Sequence, residues 1–238
     1  MAAISAEFDS VLAEDRRGEV FAGEKRQAVL GFLERRAPLA RLVETDLIYE
    51  AMELLLGPGF VWVGSDGNLY VGDTSWHPDA GRPDYRFIKV AFYLDPVAKD
   101  TGALRVIPGS HRPPLFDDLQ ALKRAKDPAI TPFAVAARDI PCFPLESQPG
   151  DVVMFNQATW HASFGGKTGR RMFTLNFAAP PTLPEHEARL RKMYAGNLEF
   201  AQTMRATPTD YIYAESFLHS DHPRVRSMTA KLLEYGFR

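Results

Sequence analysis

Short β-type segments separated by turn-forming residues occupy the middle of the chain, and they limit the folds open to it. Between about residues 59 and 180, apolar and β-branched runs alternate with Gly, Pro, Asp and Asn. The runs are "FVWVGSDGNLYVGD", "YRFIKVAFYLDP", "GALRVIPGSH", "GDVVMFNQ" and "RRMFTLNFA". Short strands at regular spacing are typical of an antiparallel sandwich or barrel. The sequence therefore predicts a mainly β fold with flanking helices.

Both flanks of this β core have a helical pattern. Residues 1–57 contain "EKRQAVLGFLERRAPLARLV" and "ETDLIYEAMELLLGPG", with apolar residues at helical spacing and a final Gly-Pro pair. Residues 183–238 contain "LPEHEARLRKMYAGNLEFAQTMRA" and "HPRVRSMTAKLLEYGF". The first of these two helices is interpreted either as docked on the sheet or as a lid. Because no proline-rich linker is present, we expect one domain over residues 1–238, with its β core at 59–180.

Composition excludes several classes of function. The 238 residues are 45% hydrophobic, which is enough for a full core, and the net charge is −2 without a basic stripe. The single cysteine, Cys142, excludes an internal disulfide and a cysteine-rich zinc site. No run of about 18 apolar residues and no signal-peptide core is present. We therefore expect a cytoplasmic protein that binds neither nucleic acid nor a membrane; the oligomeric state is left open.

Three side chains with metal-binding chemistry stand out, namely His77, Asp79 and His161. In "DTSWHPDAGRP" the first two are separated by one residue, so in an extended segment they point to the same side. His161 follows the turn signal "QPGD" and lies at the end of the next strand or just beyond it. Two histidines and one carboxylate form the facial triad of non-haem Fe(II) oxygenases, whereas zinc hydrolases prefer His₃ or His₂Glu sites. For each residue taken singly, a turn or an ordinary polar contact is the alternative.

A pair of arginines, Arg170 and Arg171, follows nine and ten residues after His161. A 2-oxoacid cosubstrate has a distal carboxylate, and the planar fork of arginine fits it. Strand alternation places Arg171 with the apolar positions 173, 175 and 177, and Arg170 with positions 172, 174 and 176. The alternation favours Arg170 as the cavity residue, with Arg171 as the alternative. Ser163, two residues after His161, is expected to point the same way as that histidine and to bond the same carboxylate, with local turn bonding as its alternative.

Four segments together resemble the phytanoyl-CoA dioxygenase family of Fe(II)/2-oxoglutarate-dependent oxygenases. In chain order they are "WHPD", "TGALRVIPGSH", "PGDVVMFNQATWHAS" and "RRMFTLNF", within residues 76–177. The order and spacing of the segments carry the resemblance, which is thin outside residues 60–180. The loop between His161 and the arginines is about two residues shorter than the commonest family form, so Arg171 is kept beside Arg170.

The resemblance implies a fold, a cofactor set and a reaction. It implies a double-stranded β-helix, or jelly roll, that is cupin-like, with Fe(II) bound by His77, Asp79 and His161. The family arginine, seven residues before a strand aromatic, falls on Arg170, and the family serine falls on Ser163. The cosubstrates would be 2-oxoglutarate and O₂, with decarboxylation to succinate and hydroxylation, or another oxidation, of a small molecule. Related halogenases have Gly or Ala at the carboxylate position, so Asp79 favours hydroxylation over halogenation.

Three further polar residues are weaker candidates. Asn68, in "GNLYVG", is interpreted either as a ligand of the 2-oxoglutarate C1 carboxylate or as part of the turn signal "SDGN". Lys89 alternates with the apolar face of its strand, and either contacts the substrate in the cavity or is solvated. Arg105 either meets an anionic substrate or forms a surface salt bridge.

A second function from another class is also considered. A cupin-like protein that binds a metal and a ligand without turnover would have the same fold and the same metal cluster. An arginine that clamps a dicarboxylate speaks against such a protein, because a mere binder does not require one.

Overall fold

The computed structural model of the chain describes residues 1–125, 133, 135–203 and 209–238. Its strands are β1 Gln27–Leu30, β2 Val61–Tyr70, β3 Thr74–His77, β4 Phe87–Tyr93, β5 Leu104–Val106, β6 Phe143–Leu145, β7 Val153–Asn156, β8 His161–Ser163 and β9 Arg170–Ala178. Its α-helices are α1 Ala2–Asp15, α2 Ala37–Ala40, α3 Asp46–Leu56, α4 Leu115–Ala125, α5 Pro184–Thr203, α6 Glu215–Leu218 and α7 Pro223–Glu234. The last residues of the predicted helix after Leu183 lie outside the described ranges.

The strands form two antiparallel sheets. The larger sheet has the order β1-β2-β9-β4-β7, and the smaller has the order β3-β8-β5-β6. Strands that are far apart in the sequence are therefore neighbours, as β2 and β9 are in the larger sheet and β3 and β8 in the smaller. This is the double-stranded β-helix that the sequence predicts, with helices at both ends of the chain.

The long β2–β9 ladder separates a polar face from an apolar one. Its register pairs Tyr70 with Arg170, Asn68 with Met172 and Asp66 with Thr174. Side chains of directly paired residues lie on the same face of a sheet, and alternate residues share that face. The opposite face carries Phe173 and Leu175, both fully buried. One strand pair thus supplies a polar cavity wall and the apolar core behind it.

Aromatic packing on the apolar face attaches the N-terminal part of the chain to the larger sheet. The Phe173 ring stacks on Phe92 with centroids 4.6 Å apart and lies 5.5 Å from Phe32, which contacts Phe8 of α1. Each buried phenylalanine stabilises the fold by about 1.5–3 kcal/mol. A Cβ atom on Gly67 would lie 2.3 Å from the Phe32 ring, so this strand position has to be glycine. The larger sheet is therefore held rigidly from behind.

The helical prediction for the N-terminal flank is wrong in one segment. Within "EKRQAVLGFLERRAPLARLV", residues Gln27–Leu30 form strand β1, and only α2 and short 3₁₀ turns follow. β1 pairs along β2 from Gln27↔Leu69 to Leu30↔Asp66. An open sheet edge offers unpaired backbone groups, and pairing with it outweighs a helical spacing that extends over only a few residues.

Two other predictions of local structure also differ from the structure. Helix α4 lies inside the predicted β core, where its segment was not recognised. The residues "SDGN" are not a turn, because Ser65 to Asn68 lie in the middle of β2. Turn-forming residues are tolerated there because both neighbouring strands complete the backbone hydrogen bonds of β2. Over the described residues, none of the helices combines the length and apolar character that a membrane span requires.

Candidate metal centre and active-site cavity

Adjacent strands of the smaller sheet bring the two histidines together. His77 ends β3 and His161 begins β8, and the two residues are directly paired across the ladder. Their ring centroids are 4.3 Å apart. Trp76 and Trp160, which precede them, point the other way and are fully buried in the core, as strand alternation predicts.

Asp79 completes the cluster from the loop after β3. The backbone N–H groups of Asp79 and Ala80 both donate to the carbonyl of Gln157, at 2.8 and 2.9 Å. Nε2 of His77 lies 3.5 Å from Oδ1 of Asp79, and Nε2 of His161 lies 3.6 Å from Oδ2. One ligand atom from each residue lies within 4.8 Å of the other two, as a single metal ion requires. The fold therefore assembles the three residues that the sequence singled out.

Backbone carbonyls fix the tautomer of both imidazoles. Nδ1 of His77 lies 2.7 Å from the Ser75 carbonyl, and Nδ1 of His161 lies 2.9 Å from the Thr159 carbonyl. A carbonyl only accepts, so each Nδ1 carries the proton when the ring is neutral. Nε2 then presents its lone pair toward Asp79. This outer hydrogen bond is the usual support of a metal-binding histidine.

Charges around the cluster keep its donors in the metal-binding form. Burial acts to raise the pKa of Asp79, but the Lys89 ammonium and His161 outweigh it and hold that pKa well below its usual range. Burial lowers the pKa of His161 to about 4, against the opposing effect of Asp79. At neutral pH Asp79 is therefore an anion and His161 is a neutral base, which is the state that divalent metals bind.

A cavity of about 310 Å³ opens beside the cluster. Among its lining residues are Tyr70, Thr74, Tyr93, Ser163, Arg170 and Met172. The side chain of Arg170 is buried, with the residue only 2% exposed, and its Nη2 donates to Ser163 Oγ at 3.2 Å. Within the described part of the chain, Nε and Nη1 of Arg170 are buried without a hydrogen-bond partner. A buried cation with unused donors fits an incoming carboxylate.

Two glycines make room for this guanidinium. A Cβ atom on Gly166 would lie 1.3 Å from Nη1 of Arg170, and one on Gly102 would lie 2.4 Å from the same atom. Ser163 Oγ in turn donates to the Gly102 carbonyl at 2.9 Å. The position of Arg170 is therefore set by the backbone on two sides.

Arg171 lies on the other face of β9. It donates to Asp95 Oδ1 at 2.9 Å, to Asp9 Oδ2 at 3.0 Å and to Ser5 Oγ at 2.7 Å. The hydrogen bond from Arg171 also lowers the pKa of Asp95. Arg171 thus joins the sheet to α1 and does not reach the cavity, as the alternation argument predicts.

The three weaker candidates have different outcomes. Asn68 is fully buried, and its amide is engaged by Arg26 and Asp66, at 2.9 Å from Arg26 Nε. Lys89 lines the cavity with its side chain 18% exposed, and its Nζ lies 2.7 Å from Asp79 Oδ2, so the solvated alternative is wrong. Arg105 is turned away from the cavity.

The prediction that Arg105 meets the substrate is contradicted by the structure. The residue is only 3% exposed, and its Nη2 donates to the Lys99 carbonyl and to Asp100 Oδ1, at 2.8 and 2.9 Å. Its neighbour Leu104 lines the cavity instead. Because alternate strand residues point to opposite faces, a cavity-facing Leu104 places Arg105 on the outer side of β5.

Several cavity residues were missed by reasoning from the sequence. Asp66 and Tyr70 share the inner face of β2 with Asn68, and Tyr93 shares the inner face of β4 with Lys89, so strand alternation was a usable signal for them. Gly196, Asn197 and Phe200 reach the cavity from α5. The sequence indicated them only through the lid alternative for this helix, because the docking of a helix on a distant sheet is decided by tertiary packing.

The family model for phytanoyl-CoA dioxygenase (PhyH) matches residues 5–173. This range contains the metal cluster, Ser163 and Arg170, and covers well over half of the chain. No curated protein matches the sequence significantly.

Solved structures resemble the chain in fold. EvdMO1 has a TM-score of 0.55 and 19% identity over 76% of this chain. The matched region corresponds to only 44% of the length of EvdMO1. HygX from Streptomyces hygroscopicus, solved with nickel and 2-oxoglutarate bound, has a TM-score of 0.52 and 16% identity over 74% of this chain and 79% of HygX. EctD from S. alaskensis, solved with bound Fe, has a TM-score of 0.56 and 20% identity over 75% of this chain and 68% of EctD.

Identities this low show a shared fold, whereas the family model matches the sequence itself. The jelly roll, the two-histidine, one-carboxylate cluster and the match over residues 5–173 agree with one another. The chain belongs to the phytanoyl-CoA dioxygenase (PhyH) family, a family of Fe(II)/2-oxoglutarate-dependent oxygenases.

Proposed function

We propose that this protein is an Fe(II)/2-oxoglutarate-dependent dioxygenase that oxidises a C–H bond of a small molecule. The observation that carries the proposal is Arg170, which lines the same cavity as the His77, Asp79 and His161 cluster. Its guanidinium is buried, and two of its nitrogens have no hydrogen-bond partner among the residues that the structure describes. A metal binder without turnover needs the cluster, but it does not need a buried arginine beside it.

The donor set fits a ferrous ion. His77 and His161 contribute nitrogen, Asp79 contributes one oxygen, and all three line the same cavity. This is the ligand set of non-haem Fe(II) oxygenases, in which the remaining coordination positions stay open. The carboxylate position is occupied by Asp79, whereas related halogenases have Gly or Ala there. Hydroxylation or a related oxidation is therefore favoured over halogenation.

The cosubstrate would be held mainly by β8 and β9. Arg170 would pair with the distal carboxylate of 2-oxoglutarate through its free N–H groups. Ser163 would donate its hydroxyl to the same carboxylate in exchange for its present hydrogen bond to the Gly102 carbonyl. The Tyr70 ring lies 5.2 Å from the Arg170 guanidinium and supports it from one side. Leu104 and Met172 give this end of the cavity apolar walls that exclude water.

When bound, iron with 2-oxoglutarate and O₂ would supply the oxidant, and succinate and CO₂ would be the co-products. The chain itself would orient these groups, since the Nδ1 hydrogen bonds to Ser75 and Thr159 hold both imidazoles fixed. Phe155 packs edge-on against His161, with centroids 5.0 Å apart, and shields that ligand. These side chains would position the metal and the cosubstrate without gaining or losing a proton.

Anaerobic spectroscopy tests the proposal. Addition of Fe(II) and 2-oxoglutarate to the protein under nitrogen should produce a weak visible charge-transfer band, and admission of O₂ should release succinate. His77→Ala should abolish both signals. If the wild-type protein gives neither the band nor succinate, the protein is a metal and ligand binder without turnover.

A further inference from the structure

A second, smaller chamber of about 200 Å³ adjoins the active-site cavity. Five residues line both spaces: Leu30, Asp66, Asp79, Lys89 and Asn197. Arg170 and Ser163 line only the first space. The metal ligand Asp79 and its partner Lys89 therefore stand between the proposed cosubstrate site and this chamber.

The chamber is polar on one side and small. Carboxamides of Gln157, Asn176 and Asn197 line it, and Gln157 Nε2 donates to Asn176 Oδ1 at 3.0 Å. Val63, Met193 and Ile212 provide apolar surface. Typical ligand pockets have volumes of about 300–1,000 Å³, so a chamber of this size fits a compact molecule and excludes a long acyl chain.

Lys89 is the one cation among the five residues that line both spaces. An ammonium has three N–H donors, and the partner found for Lys89 among the described residues is Asp79 Oδ2, at 2.7 Å. Two donors are left for a ligand. A divalent metal bound to Asp79 would share the negative charge that otherwise balances Lys89. In the metal-loaded site the Lys89 ammonium would therefore favour binding of an anion.

Among the described residues, Asp66 acts on Lys89 through its charge but forms no hydrogen bond or ion pair with it. Its carboxylate accepts hydrogen bonds from Thr174, Asn176 and Asn68, and Arg26 Nη2 lies 3.8 Å from its Oδ2. Three of its roughly four acceptor sites are thus used by its own network. Beside the metal ligands, the group with unused hydrogen-bond donors is therefore the positively charged Lys89.

We propose that the oxidised substrate is a compact carboxylic acid whose carboxylate is bound by Lys89 in the chamber under α5. This inference rests on the proposed function and adds the chemical class of the substrate. Asn197 and the Oε1 atom of Gln157 bind further polar groups of the substrate, because Asn176 is already engaged by Gln157, Gly64 and Asp66. The carbon to be oxidised then lies within a few bonds of the carboxylate, because Lys89 contacts a metal ligand directly.

Matched pairs of small carboxylic acids and their primary amides test the assignment. Each compound is added under nitrogen to the protein loaded with Fe(II) and 2-oxoglutarate, and the shift of the charge-transfer band gives its affinity. Succinate release is then measured after admission of O₂. At least one acid should shift the band and stimulate succinate release, and its amide should bind at least tenfold more weakly.

Two variants of Lys89 and one control complete the test. Lys89→Met should remove the preference for the acid over the amide, whereas Lys89→Arg, which keeps the charge, should retain a preference of at least threefold. Lys192→Met, at an exposed position of α5, should behave like the wild-type protein. Thermal melting of each variant shows that it is folded.

The outcomes separate this inference from the proposed function. If the wild-type protein forms no band with 2-oxoglutarate, the proposed function fails. If the band forms but no carboxylic acid shifts it, or acids and amides bind equally well, the substrate class is wrong. If Lys89→Met weakens 2-oxoglutarate as much as Arg170→Met does, Lys89 serves the cosubstrate and the inference is also wrong.

Discussion

Arg170 and Arg171 are adjacent in the sequence and have opposite environments. Arg170 is buried beside Ser163 with unused donors, whereas Arg171 is balanced by Asp95 and Asp9. An unpaired buried charge is costly to the fold, which supports the proposal that a carboxylate ligand compensates Arg170. At the scale of single residues, strand alternation alone separates a cavity cation from a structural one.

Replacement of Arg170 tests its role in cosubstrate binding. Arg170→Met should weaken 2-oxoglutarate binding by about 2–5 kcal/mol, because the distal carboxylate would be buried without a partner. Calorimetric titration with Mn²⁺ in place of iron measures the affinity. Arg171→Met is the matched control and should leave it unchanged while lowering the melting temperature. The reverse pattern would show that Arg171 is the cosubstrate residue.

Replacement of Asp79 tests the metal site. Asp79→Ala should reduce Mn²⁺ affinity by at least about 100-fold, because it removes a ligand and leaves the Lys89 cation unbalanced next to the metal. Electron paramagnetic resonance of free Mn²⁺ measures the affinity. Asp221→Ala, at an exposed position, is the control. Equal affinities of the two variants would contradict the assignment of Asp79 as a ligand.

At the scale of elements, the site is a product of strand pairs and of the loops that join them. The His77↔His161 pair joins β3 to β8, and the Tyr70↔Arg170 pair joins β2 to β9. The loop between β8 and β9 contributes no charged ligand, yet its glycine backbone sets the position of the Arg170 guanidinium. The spacing between His161 and Arg170 is therefore tied to the shape of this loop.

A single methyl group in this loop should disturb cosubstrate binding. Gly166→Ala would place a Cβ atom at the Arg170 guanidinium, and the arginine would have to move. We expect 2-oxoglutarate affinity to fall at least about tenfold, or 1.4 kcal/mol, with metal affinity unchanged. Gly81→Ala, where the added Cβ meets no atom within 4 Å, is the control. Unchanged 2-oxoglutarate affinity in Gly166→Ala would show that the guanidinium is not held in this position.

At the scale of the whole molecule, the larger sheet separates the cavity from a core that contains its own buried acid. Glu34 is buried behind β2, and it accepts hydrogen bonds from Trp62 Nε1 at 3.0 Å and from Ser65 Oγ at 2.5 Å. Burial raises the pKa of this carboxyl, although both hydrogen bonds act to lower it. The folded protein thus holds the Glu34 proton more tightly than the unfolded chain does.

This carboxyl should make stability depend on pH. The extra stability is fully present below the ordinary pKa of glutamate and is lost as the pH rises through the higher pKa of the folded state. Glu34→Gln, which stays uncharged, should therefore gain stability relative to the wild type as the pH is raised from 4.5 to 9. Urea unfolding at each pH measures the difference, with the exposed Glu53→Gln as control. A difference that does not change with pH would contradict the raised pKa.

The parts that could be predicted from the sequence are those that depend on local pattern. The strands β2, β4, β5, β7 and β9 have clear alternation or apolar runs. The two-residue spacing in "HPD" also indicated a shared site for His77 and Asp79, although Asp79 lies in the loop after β3 and not in an extended strand. β1 was misread as helix and Arg105 as a substrate residue, because sheet-edge pairing and the facing of a three-residue strand depend on neighbours elsewhere in the chain.

The sequence by itself determined the fold class, the family and the chemical identity of the metal donors. Residue types and the two-residue periodicity of strands can be read from the chain alone, without knowing which segments pack together. Only the tertiary structure decided that Lys89 contacts Asp79, that α5 covers the cavity and that Gly166 touches Arg170. Lys89 and Asp79, and likewise Gly166 and Arg170, are close in sequence, but each contact requires the intervening loop and the strands to take their folded positions. The energies of these contacts depend on distance, burial and charge balance, which exist only once the sheets and helices have packed.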